Sequence, residues 1–145
     1  MLCINNYPKN YIDECHTKME EQLSTYNILI AEIKKQSGTN ETQLNAAIES
    51  FEPVFFNNLV MVLDNYFSDR SRTLELKDGN PANEVRMICN SIMKYDSILS
   101  ADNSIKYDPV KSVLKYKFGE EIKLNKTNFL LLYTAYFADI EKKYL

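Results

Sequence analysis

Apolar residues recur along this chain in steps of three and four, and the phase of those steps marks out most of its elements. Between residues 11 and 36 they fall at Ile12, Cys15, Met19, Leu23, Tyr26, Ile30 and Ile33, one stripe down a helix of about seven turns. Ser37 and Gly38 end it, the glycine being suited to a left-handed C-terminal cap. Asn40, with Gln43 three residues on, starts a second helix as a variant capping box. Its first half carries Leu44, Ala47, Ile48 and Phe51. Pro53 then lacks an amide hydrogen and collides with the preceding turn, which predicts a kink or a restart. From residue 54 to 67 few polar positions interrupt Val54, Phe55, Phe56, Leu59, Val60, Met61, Val62, Leu63, Tyr66 and Phe67. A helix this broadly apolar is expected at the centre of the fold or in a subunit interface.

Residues 68–79 read as a polar connection. Asn80 followed by Pro81 starts a third helix, the asparagine as cap and the proline where its missing donor costs nothing. Val85, Ile88, Cys89, Ile92 and Met93 form its inner face. Between 96 and 125 the period changes. Leu114, Tyr116 and Phe118 alternate with Lys115 and Lys117, Ile122 and Leu124 flank Lys123, and Gly119 lies between. That is the period-two pattern of a small β-hairpin with one apolar face, and Ile105, Lys106 and Tyr107 ahead of Pro109 offer a third short strand. Asn125 or Thr127 caps a last helix with Phe129, Leu132, Tyr133, Tyr136, Phe137, Ile140 and Tyr144 on one side. The pattern predicts a mainly α protein: a four-helix bundle with a small β-hairpin inserted before the C-terminal helix, in a single domain over residues 1–145.

Composition narrows the function classes. A chain of 145 residues buries roughly 68–70% of its unfolded surface, so the fold requires neither disulfide nor metal. Three Gly and four Pro are too few for a turn-rich sandwich or barrel. The net charge of −3 weighs against nucleic-acid binding, since phosphate neutralisation calls for a basic surplus. Cys3, Cys15 and Cys89 contain no CxxC pair, the usage of a reducing compartment. The opening residues, with Leu2, Cys3 and Ile4 as their apolar patch, lack the cationic start of a signal peptide. The apolar runs at 59–63 and 129–133 fall short of a membrane span. A cytoplasmic protein that does not enter the membrane is expected.

Recognisable catalytic chemistry is sparse. His16 is the single histidine, whereas structural zinc sites take four ligands. Cys15 beside it points about 100° away on a helix, so Cys15 is expected in the core and His16 on the surface. A nucleophilic triad would need this same histidine, and no partner pattern accompanies it. No Glu-x-x-His pair, P-loop or dinucleotide fingerprint occurs. Asp13, Glu14, Glu20 and Glu21 read as a solvated helix face. No cofactor, metal or catalytic residue is predicted. Lys106, Lys111, Lys115, Lys117, Lys123 and Lys126 form a cationic strip whose simplest role is a charged outer face protecting the hairpin edge.

By elimination the candidate site is the stretch from 69 to 90. The start of the third helix offers free amides and a positive dipole end, and Arg70, Arg72, Lys77, Asn80, Arg86 and Asn90 could line an anion-binding groove there. Asp69, Asp78 and Glu84 could equally neutralise these cations within a loop-fixing network, with Arg86 paired to Asp69 or Glu75.

The segments LDNYFSDRSRT, KDGNPANEVRMICNSIM and YDPVKSVLKYKFGEEIKL resemble a group of small uncharacterised bacterial proteins with the same order of segments. The resemblance runs from about residue 55 to the C-terminus. It implies a bacterial cytosolic protein and carries over no functional residue. A second resemblance is to the helical-bundle ribonucleases of bacterial conflict systems, which pair an Arg with a His a few residues later. Here Arg86 is followed by Asn90 and no nearby His, a departure at the catalytic base. The expected function is non-enzymatic: a helical protein acting through self-association, as a homodimer, or through a protein partner. The alternative is an anion- or nucleic-acid-binding protein, or a nuclease-like enzyme, using the groove at 69–90.

Overall fold

The computed structural model describes residues 3–36, 38 and 40–145, and its helices follow the three-and-four periodicity closely. They are α1 (Lys9–Gln36), α2 (Glu41–Asn65), the one-turn α3 (Arg72–Glu75), α4 (Pro81–Lys94) and α5 (Lys126–Tyr144). Leu2 of the leading apolar patch and Ser37 of the first helix stop lie outside the described residues, as do Met1 and Thr39. Gly38 takes the left-handed conformation, φ +56°, that glycine adopts without penalty.

The core forms where the stripes meet. α2, α4 and α5 pack pairwise, α1 lies along α2, and α3 sits against α5. α2 contributes Phe56, Leu59, Val60 and Leu63, and α5 contributes its whole predicted face from Phe129 to Tyr144. Phe56 meets Phe129 at 5.4 Å between ring centroids, and Phe67 meets Phe137 edge-on at 5.6 Å. The stripe on α1 is buried only at Ile12, Cys15, Met19, Leu23 and Tyr26. Ile30 is half-buried and Ile33 exposed, because the bundle ends before them. α2 is long and apolar enough to cross a membrane by length and composition, yet its second half supplies these core residues.

Two local expectations are corrected, and a third is resolved between its alternatives. Pro53 neither ends nor restarts a helix; it lies inside α2. Only one backbone donor is lost there, and Phe51 and Phe55, stacked at 5.8 Å, hold the two turns together. Asn40 precedes α2 without a side-chain capping bond, so the variant box with Gln43 does not form. Asn125 does cap α5, in a reciprocal box with Asn128, while Thr127 lies inside the helix.

The predicted β-hairpin is absent: among the described residues there is no β-strand. Residues 95–125 are an irregular segment held by an isolated antiparallel bridge between Ile98 and Glu121. Ile122 and Leu124 are buried and Tyr116 is half-buried, as their alternation implied, whereas Phe118 remains 48% exposed. What defeats the strand is the destination of its backbone donors. The amides of Val113 and Leu114 donate to the two carboxylate oxygens of Glu84, at 2.7 and 2.9 Å. Lys115 follows at φ +58°, a left-handed residue that ends an extended run. The Tyr116 carbonyl accepts from the Tyr107 hydroxyl at 2.5 Å, so no ladder is left for the facing run. Ile105, Lys106 and Tyr107 likewise form no strand, the Ile105 amide turning back to the Asp102 carbonyl at 3.0 Å.

Glu84 is thus a buried anchor on α4 for a long loop. Burial pushes its carboxyl above the usual range, opposed by the Leu114 and Val113 amides and by Lys115. A raised folded value means that its contribution is full below about pH 4.3 and declines as pH rises through the folded value. Glu84→Ala is expected to lower unfolding free energy in urea by about 1–3 kcal/mol, the cost of orphaned buried donors. Native-state hydrogen exchange should localise the loss to the Val113 and Leu114 amides; unchanged protection there would remove Glu84 as the anchor.

Candidate functional site

The stretch singled out by its charges folds around one carboxylate. Ser71 caps α3 by accepting from the Leu74 amide at 3.4 Å, and this single turn delivers Glu75 into the interior. Glu75 Oε1 accepts from Arg70 Nε at 2.6 Å and Arg86 Nη2 at 2.5 Å. Its Oε2 accepts from Arg86 Nε at 3.1 Å and Asn83 Nδ2 at 3.0 Å. Those bonds fill the acceptor capacity of a carboxylate, and Arg86 makes the two-pronged contact its planar fork favours. Arg70 also donates through Nη1 to Asp64 at 2.8 Å, to the Phe67 carbonyl at 3.0 Å and to the Tyr136 hydroxyl at 3.2 Å. Its Nη2 is left without an acceptor among the described residues.

Burial by itself would raise the Glu75 carboxyl, but the hydrogen bonds and charges of Arg86 and Arg70 outweigh it and hold the group below the usual range. Burial works against the Arg70 cation too, and Tyr136, Asp64 and Glu75 keep it protonated. Two guanidinium charges face two carboxylates. The cluster is therefore neutral, and it ties α2, the 68–80 connection, α4 and α5 together.

The amides at the start of α4 are equally committed. The Asn80 side chain accepts from the Asn83 amide at 2.9 Å, and Asp139 of α5 accepts from the Ala82 amide at 3.3 Å. Lys143 donates to Asp139 and to the Glu75 carbonyl, at 2.9 and 2.8 Å. Gly79, at φ +81°, lets the connection pass so close to Asp108 that a Cβ would stand 3.3 Å from the Asp108 Cβ. Of the six predicted residues, Arg70, Asn80 and Arg86 come together at Glu75 or its backbone. The other three stay apart. Arg72 is exposed, 3.9 Å from Glu75 and donating to the Ser104 carbonyl at 3.1 Å. Lys77 is exposed, and Asn90 donates to Asp102 at 3.4 Å.

His16 is not the bare surface residue the sequence suggested. It is half-buried, with Nδ1 2.8 Å from the Tyr133 hydroxyl, Nε2 3.0 Å from Glu141 and its ring 3.6 Å from that of Phe137. Tyr133 and Glu141 stand eight residues apart on one face of α5, the one signal that could have linked them to a histidine elsewhere. Burial, with Glu20 and Glu141, pushes the Tyr133 hydroxyl up to about 12. That hydroxyl therefore stays protonated beside Nδ1. A hydroxyl held this firmly protonated is the reverse of an activated nucleophile. The trio fastens α1 to α5. No group of three His, Cys, Asp or Glu side chains suited to a metal ion occurs among the described residues.

What remains open is an apolar surface. Among the described residues from 27 to 55, none is buried: these stretches of α1 and α2 form a two-helix arm at the margin of the bundle, joined to the start of α5 where the Lys126 amide donates to Glu52 at 2.7 Å. Ile28 and Val54 are each 62% exposed, Leu29 51% and Phe51 42%. On one side Gln22, Thr25, Tyr26, Leu29, Phe51 and Phe55 line a groove, floored by the stacked rings of Tyr26 and Phe55 at 5.4 Å. No family model, curated protein or solved structure matches the chain.

The Glu75 cluster yields a graded expectation. Arg86→Ala should cost about 3–5 kcal/mol in chemical denaturation, because it strands part of a buried charge set. Arg72→Ala should cost about 0–1 kcal/mol, the worth of an exposed pair. Since the folded Glu75 carboxyl is depressed, its contribution is present above about pH 4.3 and is lost as pH falls through the folded value. That acid-side slope should flatten in Glu75→Gln; an unchanged slope would assign it to another group.

Proposed function

We propose that the protein is a non-catalytic association module that takes up a helical partner on the α1–α2 arm. One observation carries this reading: the two longest helices leave every described side chain from 27 to 55 unburied while exposing Ile28, Leu29, Phe51 and Val54. A contiguous apolar surface of this kind marks an interaction site more often than idle surface. The arm is also weak by itself. Of its Ile, Leu and Val side chains only Ile30, Leu44 and Ile48 are half-buried, and helical stability in proteins comes mostly from tertiary packing of an apolar face. Docking against an amphipathic helix would bury the open side, the helix-in-groove mode of recognition. The charged clusters support the same division of labour, since Arg70 and Arg86 direct their donors onto Glu75.

Two measurements test this. Hydrogen exchange of the dilute chain should show amides of 28–36 and 41–51 exchanging far faster than those of α4 and α5, as expected for a low-stability unit. Ile28→Glu combined with Leu29→Glu should leave the melting temperature within a few degrees of the parent, as surface changes do. Core-like protection of the arm in the monomer, or an unfolded double variant, would assign these side chains to folding and overturn the association role.

A further inference from the structure

We infer that the arm's occupant is a second copy of this chain, docked antiparallel about a two-fold axis near Ile28 and Leu29. This rests on the association role proposed above and adds the partner's identity and register. The argument is the order of side chains on the outer face of α1. Glu21, Thr25, Ile28, Glu32 and Lys35 succeed one another at steps of three and four, so they form one stripe. All five are exposed. Glu21 precedes Ile28 by seven positions (28 − 21) and Lys35 follows it by seven (35 − 28), two helical turns each way. An antiparallel crossing of α1 on its own copy at Ile28 therefore brings Glu21 of each chain to Lys35 of the other. A two-fold interface is self-complementary by construction, and this stripe meets that condition in charge as well as in shape. Glu21 has no salt bridge among the described residues, and Lys35 has only the exposed Glu32 at 3.1 Å.

The same operation sets α2 on its own copy. The α2 residues that line the groove, Phe51 and Phe55, carry no charge, so they can pack on themselves. The other symmetric arrangements fail on electrostatics. A parallel pairing of α1 on α1 would set Lys35 against Lys35 and Glu21 against Glu21. Crossing α1 on the partner's α2 would press Glu21, Glu32 and Lys35 onto an uncharged face and desolvate them unpaired. The overlap from 21 to 35 is about 22 Å long and roughly two helix diameters, about 20 Å, wide. An interface of that order is at the small end for specific complexes, so a concentration-dependent dimer is expected.

The test is a charge swap read by light scattering and sedimentation equilibrium from low micromolar to near-millimolar protein. Glu21→Lys and Lys35→Glu should each raise the dimer dissociation constant by about tenfold, two exposed pairs turning repulsive at once. The double variant Glu21→Lys/Lys35→Glu should return it to near the parent value, because each chain then meets the complementary swap. Leu29→Glu should abolish the dimer. Singles without effect, or a double variant no better than the singles, would overturn the antiparallel register. A monomer at every concentration would overturn the second copy. In that case an arm still exchanging freely leaves another helical partner as occupant. An arm protected only with phosphatidylcholine vesicles points to a lipid surface, and an arm protected in the monomer removes the association role itself.

Discussion

Glu75 is the point on which the rest of the structure turns. A buried carboxylate with one cation is a poor bargain against its lost hydration, and Glu75 is stable inside because two guanidinium groups and an amide saturate it from different elements. Arg70 extends the set to Asp64 on α2 and Tyr136 on α5, so a one-turn helix fixes three long ones in relative position. The termini of the core join the same region. The Tyr144 hydroxyl donates to the Ser71 carbonyl at 2.7 Å, and Ile4 pairs with the backbone on either side of Arg70. Hydrophobic burial drives the collapse, but it is non-directional. The ion cluster supplies the directions.

Two further carboxylates repeat this device at the edges. Glu84 receives the loop that would otherwise be a strand, and Glu141 with His16 fastens α1 to α5. In each case an acceptor on a helix sets the course of a segment whose own propensity does not. The polar residues that could offer chemistry are mostly occupied in this way, and the arm is the exposed apolar surface that remains.

The helices were legible because their signal is local. The stripes on α1 and α5, the Asn80-Pro81 start of α4 and the Asn125 cap all rest on neighbours within one or two turns. The hairpin was misread because alternation at Leu114, Tyr116 and Phe118 reports which side chains face inward and not where the amides bond. That was decided by Glu84, some thirty residues away. The convergence of Arg70, Asn80 and Arg86 was legible as a charge cluster, and Glu75 was legible as one partner for Arg86. Its role as the centre was not, because it depends on Asp64, Asn83 and Tyr136 arriving from separate elements. His16 escaped for the same reason: its partners lie on α5, more than a hundred residues on. The arm was hidden by its own regularity, since the stripe on α1 continues past Tyr26 with no sign that the bundle has ended.

The projection of α1 and α2 beyond the core separates two kinds of evolutionary constraint. A substitution at a core position such as Leu63 or Phe129 must be matched by its neighbours, because interiors are close-packed. From residue 27 to 55 that demand is lighter, since no described side chain there is buried and Ile30 and Phe55 only partly pack on the core. The arm can exchange residues, or gain and lose paired helical turns at its tip, while the Glu75 cluster and the bundle stay as they are. The surface of the arm can then drift or be redesigned as a module, with the rest of the chain serving as an unchanging mount.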